Sequence, residues 1–510
     1  MFSKAYSAAI HGIDGLIVSV EADVSDGLPL FDMVGYLGSE VKEARERVRV
    51  ALKNSGYMLP AKRITVNLSP ADIRKEGTAF DLPVAIAILT AFGYIPEDNL
   101  KNILIIGELS LSGNINKVNG VLPIVYSAKQ QGFLKCIVPQ ENAREGAVVN
   151  DIEIYGVTTL LEAVELLNGI GEHQKEQVDI EELFRYDREE DGIDFSEVAG
   201  QVATKRAIEI AVSGMHNILM IGPPGAGKTM LAKRIPTIMP ELSFEESMEI
   251  SKIYSIAGLL GNSALVSKRP FRSPHHSITT TALIGGGMIP KPGEISLAHL
   301  GVLFLDELPE FQKNTIEVLR QPLEDKSVTI ARLSATYRYP AGFMLAAAMN
   351  PCSCGYYPDR NKCSCSLNLV KRYLGRISQP LLDRFDICIE AMQMNYKELQ
   401  IQEKQETSAD IRARVEIARN IQMERYKGLN IWFNSQLTPR TLKKYCLLEH
   451  KEQSLLEQAF IKMNLTARAY HRILKVARTI ADLDQSERIT TKHISEAICY
   501  RSIDQKYWGD

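Results

Sequence analysis

The chain has 510 residues, 45% of them apolar and 24% charged, a composition ordinary for a globular protein and a length beyond one hydrophobic core, so about two to four domains are expected. A net charge of −3 excludes a global basic field, and any nucleic-acid contact must come from local patches. No apolar run is long enough to cross a bilayer, the first residues hold no sustained hydrophobic stretch, and eight cysteines without a regular framework suit a reducing compartment, so a cytoplasmic protein without membrane contact is expected.

Residues 1–170 alternate short β-like runs with helical patterns. Leu16 to Val24, Ile64 to Leu68 and Ile103 to Ile106 are predicted strands, while Val41 to Asn54 and Leu82 to Phe92 are predicted helices. This describes an α/β or α+β domain with its own core.

Residues 64–85, ITVNLSPADIRKEGTAFDLPVA, followed by residues 106–113, IGELSLSG, resemble the proteolytic domain of Lon-type proteases. The resemblance implies a ribosomal S5-like α+β fold, with a serine two residues after the glycine of K-[DE]-G and a lysine after G-E-[IVL]-[ST]-L. Here Ala79 stands at the serine position and Leu122 where the lysine would fall. Without nucleophile or base there is no peptidase dyad. The domain is expected to be a scaffold stripped of its chemistry, a platform for a protein partner or for DNA.

Between Glu172 and Glu197, eleven acidic residues face three basic ones. The composition predicts a solvated linker over 171–194, an acidic interaction tail being the sharper alternative.

A second module begins at Phe195. Residues 218–232, ILMIGPPGAGKTMLA, read as a buried strand, a glycine-rich loop and a helix, the context that the G-x-x-x-x-G-K-[ST] phosphate-binding pattern requires. Gly222, Pro223, Pro224, Gly225, Ala226 and Gly227 would cradle phosphates with backbone N–H groups, helped by the positive end of the following helix. Lys228 would reach the outer phosphates, and Thr229 would hold Mg²⁺. The cofactors expected are therefore ATP and Mg²⁺.

Leu300 to Glu307, LGVLFLDE, is a second apolar strand that ends in two carboxylates. After a phosphate loop, this is the Walker B arrangement: Asp306 for the Mg²⁺ shell, Glu307 to polarise the attacking water. Phe343 to Asn350 is a third apolar strand, and Asn350 at its tip can hold the lytic water or γ-phosphate; helix capping or a turn is the plainer reading. Arg384 lies between two acids in ISQPLLDRFDI. An always charged, planar guanidinium suits an arginine finger, and an ion pair with Asp383 or Asp386 is the alternative.

Cys352, Cys354, Cys363 and Cys365 form two C-x-C pairs in a loop of Gly, Tyr, Pro and Asp. Four thiolates can surround a structural Zn²⁺, with free or redox-labile thiols as the other reading. Because the cluster follows Asn350, metal loss would disturb nucleotide sensing. His275 and His276 are adjacent and chelate one ion poorly, so hydrogen bonding inside their loop is expected.

RPFRSPHHSITTTALIGGG (269–287), IPKPGEISLAHLGVLFLDELPEF (289–311), AAAMNPCSCG (346–355) and TARAYHRILKVARTIADL (466–483) together resemble the magnesium-chelatase-like AAA+ ATPases of the YifB/ComM type, over essentially the whole chain. The resemblance implies an α/β multidomain protein: a Lon-like domain over 1–170, the linker, an AAA+ parallel-sheet core over 195–395, a connecting helix over 396–430 and a helical lid over 431–510. It also implies an insert around Ser273 to Ile295, a hairpin around Val328 to Pro340, Arg384 as the arginine finger, and Arg468 as sensor 2. The family's function implies a homo-oligomeric, hexameric motor that moves branched DNA during recombination, with ATP between subunits. Lys268, Arg269, Arg272 and Lys291 in the insert and Lys326, Arg332 and Arg338 around the hairpin are the cations such a motor would turn to phosphates. The lid carries thirteen basic and nine acidic residues over 431–510, which permits DNA contact without arguing for it. The alternative is a chelatase-like ATPase that remodels a protein partner, possibly during metal insertion.

Overall fold

A computed structural model describes residues 1–189, 192–261, 263–287, 290–332, 335–393, 405–429 and 431–508. The start of the expected connecting helix, 394–404, lies outside the described residues; a helix runs from Ser408 to Arg425.

Seven strands of the first domain, β1 (Phe2–His11), β2 (Asp14–Ser25), β3 (Leu30–Val34), β4 (Arg63–Ser69), β5 (Ile103–Ile105), β6 (Lys135–Pro139) and β7 (Glu153–Val157), form one sheet in the order β3-β4-β2-β1-β5-β6-β7. β1, β2 and β4 pair antiparallel, and the remaining pairs are parallel. In β2 the alternate residues Val18, Val20, Ala22 and Val24 are buried, the period-two pattern of a half-covered strand. Helix Asp81–Ala91 covers that face and is apolar all round and buried throughout, because helix Ser39–Asn54 packs over it with Val41, Ala44, Val48, Ala51 and Leu52 buried.

Asp81 opens that buried helix with a fully enclosed carboxylate. Arg47 meets it from the neighbouring helix at 2.7 and 3.0 Å, and the Leu109 N–H donates to it at 3.3 Å. Burial pushes the Asp81 carboxyl up, and the Arg47 guanidinium pulls it back.

The acidic stretch expected as a solvated linker is partly built into the fold. Helix Ile180–Glu189 lies within it, Val178 and Leu183 pack on the cluster that holds Val121, Val125 and Val148, and the Glu176 N–H donates to the Ile154 carbonyl at 2.9 Å. The few apolar residues anchor it, whatever the charge around them.

The other sheet is wholly parallel. β8 (Ile218–Ile221), β9 (Phe271–Arg272), β10 (Val302–Leu305), β11 (Met344–Met349) and β12 (Ile387–Glu390) stand in the order β9-β10-β11-β8-β12. Its short strands are apolar on both faces, as parallel strands covered twice must be. Ile218, Met220, Phe304 and Ala346 share a cluster with Ile473, Ala477 and Ile480 of helix Ala467–Leu483. Leu219, Ile221, Leu305 and Ala347 face the opposite layer, with Cys352, Cys363 and Leu374. The C-terminal helices are thus one wall of the sheet's own core. An antiparallel hairpin, Ser327–Ala331 with Thr336–Pro340, leaves the second layer and reaches the first domain, where Tyr337 packs on His11 with ring centroids 5.1 Å apart.

Removing Arg47 leaves the Asp81 carboxylate enclosed without a counter-charge, so Arg47→Ala should cost about 3 kcal/mol in denaturant unfolding, and Asp81→Asn in the same chain should restore part of it. Equal midpoints for wild type and Arg47→Ala would show that the pair carries no weight.

Candidate functional site

The strand polarity decides where chemistry can gather. β8, β10 and β11 run side by side, with Ile221 opposite Met349 and Leu305 opposite Ala347, so the residues after each strand emerge at one carboxyl-terminal edge, the usual ligand edge of a parallel sheet. From β8 the chain turns through 222–227 into helix Lys228–Ile238. Gly227 holds φ +77° just before Lys228, and nothing lies within 4 Å of where a Cβ would sit, so the loop's face is open to a group outside it.

The Lys228 ammonium is buried. It donates to the carbonyls of Gly222 at 2.7 Å and Pro223 at 2.9 Å, and to Asn350 Oδ1 at 3.1 Å. Burial lowers its pKa, against the pull of the Asp306 and Glu307 carboxylates. Thr229 Oγ1 donates to Asp306 Oδ2 at 2.6 Å. A hydroxyl and a carboxylate side by side are hard oxygen donors that suit Mg²⁺, and a desolvated ammonium beside open backbone N–H groups suits phosphate oxygens. Lys228, Thr229, Asp306 and Asn350 are therefore brought together. Glu307 stands next to them in the left-handed region at φ 52°, its side chain largely exposed.

Sequence reasoning missed a neighbour of Glu307. His275 bonds Ser277 at 2.8 Å within its loop, but His276 Nδ1 stands 3.8 Å from Glu307 Oε2, its ring edge-on to Phe311. The signal was topological: β9 lies beside β10, so residues leaving β9 surface next to Asp306 and Glu307.

Arg384 sits at the other end of the sheet. Its carbonyl accepts from Asn217 Nδ2 at 2.8 Å, and Asn217 precedes β8, so Arg384 is one strand length, about 13 Å or more, from the phosphate loop of its own chain. Its guanidinium bonds the carbonyls of Pro380 and Arg320 and pairs with Glu324. Neither Asp383 nor Asp386 is that partner; Asp386 instead faces Arg472 at 3.3 Å and His216 at 3.4 Å. Burial lowers the Arg384 pKa, Glu324 opposes the shift, and the nearby charges of Arg320 and Arg468 add to it. Arg468, in the first turn of helix Ala467–Leu483, is exposed at this same end.

Two of the seven cations proposed for phosphate contact, Arg269 and Arg272, are occupied elsewhere. Arg269 is buried and donates to the Leu300 carbonyl at 2.8 Å and to Glu246 at 2.9 Å. Arg272 makes a two-point pair with Glu294 at 2.6 and 2.7 Å. Lys326 is largely enclosed, and burial lowers its pKa. Lys291, Arg332 and Arg338 are exposed.

The sulfurs of Cys352, Cys354, Cys363 and Cys365 converge, all within 4.8 Å of one another. In the first domain, Ala79 lines a cavity of about 580 Å³ with Thr78, Glu108 and Tyr337. Leu122 is fully buried, and its N–H donates at 3.0 Å to Glu145, which also takes the Ser255 hydroxyl from helix Phe244–Ala257. The segment that would carry a peptidase's lysine is a contact with the second module.

Residues 194–399 match the family model of magnesium chelatase, subunit ChlI; residues 20–142 match that of subunit ChlI of Mg-chelatase, and 405–501 that of its C-terminal region. Competence protein ComM of Haemophilus influenzae is 43% identical over 98% of this chain and 97% of its own. Protein YifB of Escherichia coli is 42% identical over 99% of this chain and 97% of its own. Lon protease 2 of Bacillus subtilis is 32% identical over 128 residues, 25% of this chain and 23% of that protease.

Lys228→Ala removes the buried cation and Glu307→Gln the carboxylate with little change of shape. Each should lower ATP turnover by at least about a hundredfold, and Glu307→Gln should still bind a fluorescent ATP analogue. Turnover at the wild-type rate in either would exclude this edge as the site.

Proposed function

The chain belongs to the magnesium-chelatase family, in its ComM and YifB branch, and on that footing we propose that it is an ATP-hydrolysing ring motor that binds and remodels DNA, acting in recombination or natural transformation. The observation that carries this reading is the division of the site: Lys228, Thr229, Asp306 and Asn350 stand at one end of the parallel sheet, and Arg384 and Arg468 at the other. A guanidinium at the wrong end of its own sheet is at the right end of a neighbour's, if identical subunits meet head to tail and the rotation closes, as in a hexameric ring.

In the reaction, the loop 222–227 and Lys228 hold the phosphates, while Asn350 and Glu307 orient the attacking water and Glu307 polarises it. His276, 3.8 Å away, faces the Glu307 carboxylate. Mg²⁺, held through Thr229 and Asp306, supplies positive charge to the phosphate oxygens when bound. Arg384 of the adjoining subunit, released from Glu324, offsets charge that develops on the transferred group, with Arg468 beside it. The same reading includes a structural Zn²⁺ on the four clustered cysteines and a cytoplasmic location. Among the described residues no helix is long and apolar enough to cross a membrane.

Exposed Lys291, Arg332 and Arg338 are the cations assigned to DNA, Arg332 on giving up its bond to the Gly287 carbonyl. Contacts to phosphates alone grip without reading sequence and weaken as salt rises. The first domain, docked on the hairpin through His11 and Tyr337, is placed to accept a protein partner or DNA beside that grip.

Arg384→Ala should lower turnover by about a thousandfold, and mixing it with Lys228→Ala should restore activity, because about a quarter of randomly formed interfaces then pair an intact loop with an intact arginine. Verified mixed rings without recovered activity would exclude action across the interface. Four-way-junction or duplex DNA should stimulate the ATPase at low salt and less as salt rises, and Arg332→Ala with Arg338→Ala should reduce the stimulation. Failure of single-stranded, duplex and junction DNA alike to bind would turn the reading to a chelatase-like remodeller of a protein partner.

A further inference from the structure

Resting on the reading of Cys352, Cys354, Cys363 and Cys365 as a zinc site, we infer that this metal braces the phosphate loop, so that Zn²⁺ occupancy sets the affinity for nucleotide at a site where zinc takes no part in the chemistry.

Three of the sulfurs stand near the spacing of a coordination tetrahedron, and the fourth, Cys365 Sγ, lies within 4.8 Å of them and 3.3 Å from Ser353 Oγ. Cys352 Sγ lies 3.3 Å from Cys354 Sγ and 3.8 Å from Cys363 Sγ, and Cys354 Sγ lies 3.6 Å from Cys363 Sγ. Four sulfurs at about 2.3 Å from one Zn²⁺ are about 3.8 Å apart along each edge, whereas a disulfide needs about 2.05 Å. Three of the four cysteines are buried and all are free. The Tyr357 N–H donates to Cys352 Sγ at 3.4 Å, the kind of outer contact that steadies a thiolate ligand.

The loop needs such a centre. From Asn350 to Ser366 the chain forms neither helix nor strand, a length that seldom orders itself without an added constraint. Metal binding supplies ordering energy where apolar burial is scarce.

The first part of this loop bears on the nucleotide site at two points. At its start, Asn350 accepts from Lys228, and the preceding Met349 carbonyl accepts from the Gly222 N–H at 3.1 Å. Further along, Gly355 lies directly on the phosphate loop: it has φ +89°, and a Cβ there would come to 2.5 Å from Pro224 Cδ. Gly355 is the residue after Cys354, so a shift of that thiolate moves the surface on which Pro224 rests. On the opposite side, Tyr357 faces Tyr507 of the last helix, ring centroids 6.3 Å apart, and the Trp508 indole N–H donates to the Leu374 carbonyl at 3.3 Å. With one flank backed by packed helix, loss of the metal would be felt on the other, at Pro224.

The test compares zinc content by plasma mass spectrometry with the affinity for a fluorescent ATP analogue in Mg²⁺, using the full chain. Wild type should hold one Zn²⁺ per chain; Cys354→Ser should lose it and bind the analogue at least about tenfold more weakly. Gly355→Ala should keep the metal and lose affinity comparably. Wild type stripped with a mercurial and a chelator should weaken likewise and recover on addition of Zn²⁺, a check that does not depend on how the variants fold. A wild-type chain that neither carries nor takes up Zn²⁺ would overturn the zinc reading and the inference together. Zinc-free protein that binds nucleotide as wild type does, or Gly355→Ala with unchanged affinity, would overturn the brace while leaving the zinc site standing.

Discussion

A parallel strand has two chemically different ends, and the residues proposed for this molecule's nucleotide chemistry are divided between them. The carboxyl ends of β8, β10 and β11 deliver an ammonium, a hydroxyl, carboxylates and a carboxamide into one small volume. The amino end of β12 delivers Arg384. No side-chain rotation spans the sheet, so the covalent order of the chain forbids one subunit from assembling both halves. The pairing of Arg384 with Glu324 keeps the charge from standing alone meanwhile, and an exchange of partners rather than a large movement is what bringing it to a phosphate requires.

What could be read from the sequence was what the sequence holds locally. The phosphate loop, the Asp306 and Glu307 pair and the tip of β11 each announce themselves within a dozen residues, because an apolar run, a glycine spacing and a polar terminus are contiguous. The strands at 16–24 and 64–68 and the helix from 41 to 54 were legible for the same reason. Partners that only folding brings near were not. Glu246 captures Arg269, Glu294 captures Arg272 and Glu324 captures Arg384, and without those carboxylates Arg269 and Arg272 read as free cations and Arg384 as a finger resting on Asp383 or Asp386. Helix Ile180–Glu189 was hidden by its own charge, since composition averages over the two apolar contacts that hold its segment.

The first domain shows the same contrast between pattern and placement. Ala79 and Leu122 declare in the sequence that a peptidase dyad is missing, yet what replaced it is visible only in three dimensions. Glu145 receives the Leu122 N–H from one module and the Ser255 hydroxyl from the other, the Gly120 N–H donates to the Ser255 carbonyl at 3.1 Å, and Lys117 reaches the Gly261 carbonyl at 2.9 Å. Polar groups enclosed at such a contact have to be satisfied from both sides. The face on which the Lon resemblance would put a dyad thus has the residue pattern of a joint.

The sharing of one hydrophobic cluster between β8, β10, β11 and the C-terminal helices has a consequence for biosynthesis. The chain leaves the ribosome from its N-terminus, so the first domain's sheet is complete while Ile473, Ala477, Ile480 and Tyr500 are still untranslated. Throughout that interval the face of the parallel sheet with Ile218, Met220, Phe304 and Ala346 is covered by helices Val202–Gly214 and Lys228–Ile238, while the outer side of those helices lacks its partners. An incomplete core is adhesive, and the growing chain would have to be shielded until nearly its last residues emerge.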